Sequence, residues 1–191
     1  MNRRSAKDSK SSILDAALKA FSEHGYSGAN MRTIAGNANI SVGGLYLYFK
    51  SKEALCLSLM KERLEELSSK TERIVKDTYN PAEAIEKFIS INLDYTKEHR
   101  EIILTQGRDK GFTFGADVKK RFFRQQRKFV EKIIREGVRT GVFLECNVPE
   151  TAKIVTAMLR GFVLSVLLEP DGLFNVRGCC EFVLRGLLKN V

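Results

Sequence analysis

Residues able to carry out catalysis are scarce in this chain. Its two histidines, His24 and His99, stand apart, and its cysteines and carboxylates lack the spacing of a metal or nucleophile site. The expectation is no enzyme: no catalytic residue, no metal, no cofactor. The chemistry that residue type and spacing do support lies in 30–52, Asn-Met-Arg-Thr-Ile-Ala-Gly-Asn-Ala-Asn-Ile-Ser-Val-Gly-Gly-Leu-Tyr-Leu-Tyr-Phe-Lys-Ser-Lys. This stretch reads as two short helices joined by a tight turn, with a basic, aromatic exit into a third. Such a helix-turn-helix sets its second helix in the major groove of duplex DNA.

The elements that must position this segment can be read around it. Asn30 caps the first short helix, whose apolar positions Met31, Ile34, Ala35 and Ala38 keep helical spacing. Residues 37–39 supply the turn, and Ser41 caps the second helix. Leu45 and Phe49 face inward while Tyr46 and Tyr48 point elsewhere, and Ser51 caps the next helix. Upstream, a helix over 9–24 carries Ile13, Ala17 and Phe21 inward and ends at Gly25 in a left-handed cap. Downstream, a long helix over 51–77 has Leu55, Leu59, Leu64, Leu67 and Ile74 on its buried side. Further helices are expected over 80–100, opened by Asn80-Pro81-Ala82-Glu83, over 101–108, over 116–140 and ended by Gly141, over 147–168, and over 174–188. No useful strand pattern appears. The fold class is all-α, with about nine helices: a three-helix head, then a larger C-terminal helical bundle.

The net charge of +9 is unevenly placed. Residues 1–52 carry eight basic and three acidic groups, 53–107 eight and eleven, 108–139 eleven and four, and the rest five of each. A cationic N-terminal unit is what a phosphate backbone attracts. No apolar run reaches 18 residues, and the longest candidate, 157–168, is interrupted by Arg160, so no membrane span is expected. The basic N-terminus is followed by no apolar stretch of a signal peptide. Cys56, Cys146, Cys179 and Cys180 read as reduced, buried thiols of a cytoplasmic protein, with thiol sensing at Cys179 or Cys180 as an alternative.

Around the helix-turn-helix the chain resembles the TetR family of bacterial transcriptional regulators. The resemblance runs from Ser9 and is densest through Leu59. It rests on Ile13-Leu14-Asp15-Ala16-Ala17, on Phe21, on Gly25-Tyr26, and on the block Leu45-Tyr46-x-Tyr48-Phe49-x-Ser51-Lys52-Glu53-x-Leu55. It implies a DNA-binding domain over 9–69, with a basic arm over 1–8 and a recognition helix over 41–48. A ligand-sensing and dimerisation domain would follow over 70–191. The implied function is a sequence-specific regulator, a homodimeric repressor released from a palindromic operator in double-stranded DNA by a small-molecule inducer; an adaptor with a non-specific basic head is the alternative.

By that resemblance the DNA-facing positions are Arg32, Thr33, Ser41, Val42, Gly43, Gly44, Tyr46, Tyr48 and Lys52. Tyr46, Tyr48 and Lys52 would contact phosphates, Val42 would meet a thymine methyl, and Arg32 a guanine or a phosphate. Many relatives have histidine where this chain has Tyr48. Gly43 and Gly44 present no side chain to a base, so either readout leans on DNA shape or the glycines permit close approach. Candidate ligand-pocket residues are Phe88, Tyr95, Gln106, Arg108, Phe112, Phe122 and Phe129, with Phe114 beside them. The basic run over 108–139 fits an acidic ligand or a solvated helix face. Candidate dimer-interface residues are Ile154, Met158, Phe162, Val166, Phe182, Val183 and Leu187, a stripe that equally suits the subunit's own core.

Overall fold

A computed structural model describes residues 6–100, 103–104, 114–169 and 175–188, with side chains from Ser9 onward. Eight helices are present among them: α1 (Ala6–Gly28), α2 (Met31–Asn37), α3 (Val42–Tyr48), α4 (Lys52–Asp77), α5 (Pro81–Glu98), α6 (Ala116–Arg139), α7 (Val148–Leu168) and α8 (Val176–Arg185). The extended pairing among the described residues is an isolated antiparallel bridge between Phe143 and Leu188. The fold is all-α. Of the helix expected over 101–108 only 103–104 are described, both helical; of the basic arm expected over 1–8, residues 6–8 are instead the first turn of α1, and 1–5 lie outside the described residues.

The chain divides into two compact units, 1–63 with 101–118, and 64–100 with 119–191. The expected division was 9–69 and 70–191. In the first unit the core is built from Ile13, Ala17 and Phe21 of α1, Ile34 and Ala35 of α2, Leu45 of α3, and Leu55, Cys56 and Leu59 of α4. Burial of each large side chain among these contributes about 1.5–3 kcal/mol. Phe114, a pocket candidate by sequence, packs instead against this core, 6.2 Å from the Tyr26 ring. Gly25 interrupts α1 with φ 71°, a backbone region open chiefly to glycine, and one further turn follows to Gly28.

The second unit gathers Ile85, Phe88, Ile89 and Leu93 of α5, Val130, Ile133 and Ile134 of α6, Val155 and Leu159 of α7, and Cys179, Cys180, Val183 and Leu184 of α8. Phe143 is fully buried among them, and Gly137 of α6 makes room for it, since a Cβ there would overlap the Phe143 ring. Asparagine caps open three helices: Asn80 accepts from the N–H of Ala82, Asn147 from that of Glu150, and Asn175 from that of Gly178. Val183 and Leu187, expected at a dimer interface, are buried in this core, because the stripe they share with the solvent-facing Phe182 is wider than one face.

Two expectations from composition change in the fold. Cys146 is exposed, so three of the thiols are buried rather than four. The interruption of 157–168 by Arg160 hid that α7 as a whole is apolar: it has the length and composition to cross a membrane, with mean hydropathy 1.6, although only 28% of that window is buried.

Candidate nucleic-acid interface

The reading segment is assembled by local chemistry at each of its corners. Asn30 turns into α2 with its side-chain oxygen accepting the Arg32 N–H at 2.8 Å. Asn39 takes φ 55° in the turn, a left-handed conformation that asparagine tolerates better than most residues. Ser41 then caps α3, its hydroxyl accepting the Gly44 N–H at 3.0 Å. Leu45 and Phe49 are buried and pin the inner side of α3 to the first unit's core. Ser51 repeats the device for α4, accepting from the N–H of Ala54 at 3.1 Å.

This anchoring turns the other side of α3 outward. Tyr46 and Tyr48 are exposed, and so are Arg32, Thr33, Ser41 and Gly43. Leu47 is the most exposed of the segment's large apolar side chains, at 78%. It was not among the expected site residues, although its position two after the buried Leu45 places it on the outer face of any helix. No acidic residue occurs between Glu23 and Glu53. The exposed surface of the segment therefore offers hydroxyls, a guanidinium, an aliphatic side chain and free backbone without a competing carboxylate, which suits a polyanion's groove.

Four expected residues stand differently. Val42 is half-buried against the core, so little of it is left for a thymine methyl. Gly43 and Gly44 are not alike: a Cβ at Gly43 meets nothing within 4 Å, while one at Gly44 would lie 3.2 Å from the Ser41 hydroxyl that caps the helix. Packing explains Gly44 and leaves Gly43 unexplained by the fold. Lys52 does not point to solvent as a phosphate contact would. Its ammonium donates to the carbonyls of Tyr26 at 2.7 Å, Ser27 at 3.2 Å and Ala29 at 3.0 Å, and lies 4.7 Å over the Tyr26 ring. Lys50, which sequence reading passed over, is exposed and has no bonding partner among the described residues.

In the second unit the expected pocket residues do not converge on one described cavity. Phe88 is core, Tyr95 stacks edge-on with His99 at 4.3 Å, Phe122 meets Phe123 at 5.5 Å, and Phe129 packs against the core. Gln106, Arg108 and Phe112 lie outside the described residues. A surface groove of about 240 Å³ is lined by Val75, Pro81 and Ala84 with Lys132, Arg135 and Arg139, and none of the described candidates lines it. What sequence reading missed is Gln126. It is 2% exposed, and neither its amide oxygen nor its amide nitrogen has a hydrogen-bond partner among the described residues. Its place four residues from both Phe122 and Val130 was the available signal. The thiols of Cys179 and Cys180 are pushed up from their ordinary values, chiefly by burial, which keeps them protonated and unreactive at neutral pH.

Residues 13–59 match the model of the bacterial regulatory proteins, tetR family. Over nearly its whole length the chain is similar to a helix-turn-helix-type transcriptional regulator of Bacillus subtilis, YhgD, at 25% identity over 96% of this chain and 98% of that protein. Among solved structures it is similar to the TetR family transcriptional regulator PfmR of Thermus thermophilus, at 26% identity and a TM-score of 0.67 over 91% of this chain and 97% of that one. It also shares the fold of the regulator FadR of Bacillus subtilis, solved with stearoyl-CoA, at 20% identity and a TM-score of 0.71 over 95% and 98%. The family model covers the capped helix pair and much of its supporting core, and the likeness to regulators continues through the bundle that follows: residues 13–59 form a DNA-binding domain of the TetR type, in a chain similar over nearly its whole length to transcriptional regulators.

Proposed function

We propose that this regulator is a homodimeric, cytoplasmic repressor that reads a palindromic operator with α3 and leaves it when a small molecule binds the second unit. The observation that carries the DNA reading is the outer face of α3: Tyr46, Leu47 and Tyr48 exposed on a helix whose N-terminus is capped and whose inner side is anchored. Arg32 and Thr33 of α2 flank it, and Ser41, Gly43 and Gly44 give backbone close access. A helix of seven residues reads few base pairs, so useful specificity requires two heads on one operator.

The surface for the second copy is the solvent-facing side of α7 and α8. Ile154, Leu164 and Leu168 of α7 are exposed, and Phe182 of α8 is 66% exposed; Met158, Phe162 and Val166 are half-buried beside them. A helix as apolar as α7 yet largely uncovered is better explained by an unbuilt interface than by a finished surface. The ligand is assigned to the interior of the second unit because Gln126 has an amide donor and acceptor without partners among the described residues there, a cost that a polar ligand group would offset. FadR's structure with stearoyl-CoA supports a ligand in this fold without identifying one for this chain. Ligand binding is transmitted through α4, which runs unbroken from Lys52 to Asp77 between the units.

Selection of duplexes from random DNA, followed by anisotropy titration of the winner at two salt concentrations, tests the reading. A twofold-symmetric winner bound at least about 10³-fold more tightly than random DNA is the expected result. Sedimentation of the free protein should give a dimer, and Phe182→Glu should give a monomer with weakened operator binding. Equal affinity for all duplexes would sink the sequence-specific repressor, and a monomeric wild type would sink the dimer.

A further inference from the structure

We infer that Lys52 is a clasp that closes the DNA-reading segment on itself, and that Lys50 supplies the phosphate charge expected of Lys52. An ammonium has three N–H donors and no more. Here all three are directed at carbonyls, those of Tyr26, Ser27 and Ala29, and the Tyr26 ring lies beneath the charge. These carbonyls lie in the last turn of α1 and just past its end at Gly28, where a helix leaves its final acceptors without intrahelical partners and with a partial negative charge. A phosphate could reach the Lys52 ammonium only by displacing one of them.

The position of the clasp gives it a task. Ala29 immediately precedes Asn30, the cap of α2, and Lys52 opens α4 immediately after the turn that leaves α3. One ammonium therefore ties the entry of the reading segment to its exit. Between those ends lie α2, the left-handed turn at Asn39, and α3. Lys52 is thus a positioning residue: it fixes the angle at which α3 is presented without itself touching DNA. Lys50 is the contrasting case. Phe49 is buried as the C-cap of α3, whereas the next side chain, that of Lys50, is exposed and has no partner among the described residues.

This inference rests on the reading of α3 as the DNA-contacting helix, and the test separates the two. The full-length protein is titrated with its selected operator and with a random-sequence duplex across a salt series, as wild type, Lys50→Met, Lys52→Met and Lys52→Arg. Lys50→Met should lower the slope of log K against log salt by about one on both duplexes. Lys52→Met should leave the slope unchanged, lower the thermal midpoint, and shrink the ratio of operator to random affinity on the order of tenfold. Lys52→Arg should behave like Lys52→Met, since a planar guanidinium cannot aim three donors at three converging carbonyls. A slope lowered by about one in Lys52→Met and restored in Lys52→Arg would overturn the inference.

A second measurement on the wild type does not depend on how the variants fold. Acetylation of lysines by an activated ester, read by mass spectrometry, should be fast at Lys50 in the free protein and suppressed by duplex DNA. At Lys52 it should be slow in both states. Rapid acetylation of Lys52 that DNA suppresses would refute the clasp. A wild type that binds no duplex would remove the DNA reading, while slow acetylation of Lys52 in the free protein would still support the clasp.

Discussion

The two units of this molecule close their polar groups in different ways: the first ties distant stretches of backbone together through Lys52, while the second bonds its buried side chains within their own helices. In the first, each corner of the reading segment is closed by a named partner: Asn30, Ser41 and Ser51 cap helices, and Lys52 covers the carbonyls at the end of α1. In the second, Thr71, Asn92, Thr96 and Thr156 are buried and bond to backbone carbonyls of their own helices, the Gln126 amide has no hydrogen-bond partner among the described residues, and α7 and α8 leave apolar side chains in solvent. A unit that must hold one face at one angle is finished by its own chain. On the proposed function, the second unit is the one left to be completed by a ligand. That division of labour is what a ligand-controlled switch requires, because a ligand shifts an equilibrium only by completing one state better than another.

The contrast can be strained at both ends. The largest expected effect is Gly137→Ala, which puts a methyl into the Phe143 ring and should destabilise the protein by about 1–3 kcal/mol through overpacking, seen in thermal or denaturant unfolding. Wild-type stability would mean that Phe143 is free to move and that the second unit is looser than described. Gln126→Met should act with the opposite sign. Removing a buried unsatisfied amide in favour of an apolar side chain of similar length should stabilise the fold by up to about 1–3 kcal/mol, while blunting any response to ligand. A loss of stability instead would show that the amide is partnered, and the comparison between the units would fail.

Smaller effects sharpen the first unit. Ser41→Ala removes the cap of α3 and should cost about 1 kcal/mol, with operator affinity falling alongside stability. Gly43→Ala should separate the two: helix propensity predicts a gain of about 0.5–1 kcal/mol with no clash, yet operator binding should weaken if backbone approach is what the glycine serves. Tighter binding in that variant would make Gly43 a mere imperfection. The smallest effect concerns pH. Burial raises the Cys179 and Cys180 thiols, so their contribution to stability is intact below the ordinary thiol value and is lost as pH rises through the raised folded values. Thermal midpoints measured from neutral to alkaline pH should fall more steeply in the wild type than in a Cys179→Ala, Cys180→Ala double variant.

What could be read from the sequence was whatever local chemistry decides. Asn30, Ser41, Asn80 and Asn147 announced their helices because a capping side chain bonds within three residues of itself. Gly141 announced the end of α6 by the backbone that only glycine adopts readily, with φ 74°, while the same signal at Gly25, φ 71°, marks a break inside α1 and not its end. The bonds of Lys52 to backbone carbonyls could not be foreseen because its acceptors lie 23 to 26 residues upstream, and nothing in its neighbours reveals them. Val183 and Phe182 are adjacent in one apolar helix, and periodicity alone does not say which of the two meets the chain's own core. Gly137 looked incidental in the sequence of α6; its reason is a phenylalanine beyond the end of that helix. Long-range partners, in short, are where the reading stopped.

The open space at Gly43 has a further consequence for descent. A recognition surface normally changes its target by exchanging one side chain for another, and each exchange disturbs what the old one held. Here the first turn of α3 contains a position with no inherited contact, since a Cβ added there meets nothing within 4 Å. A single codon change at that position disturbs no packing within the chain, so its effect is confined to how the helix meets DNA. The head is in this sense preadapted: lineages that duplicate it can acquire new operators by filling an empty seat rather than by rebuilding an occupied one.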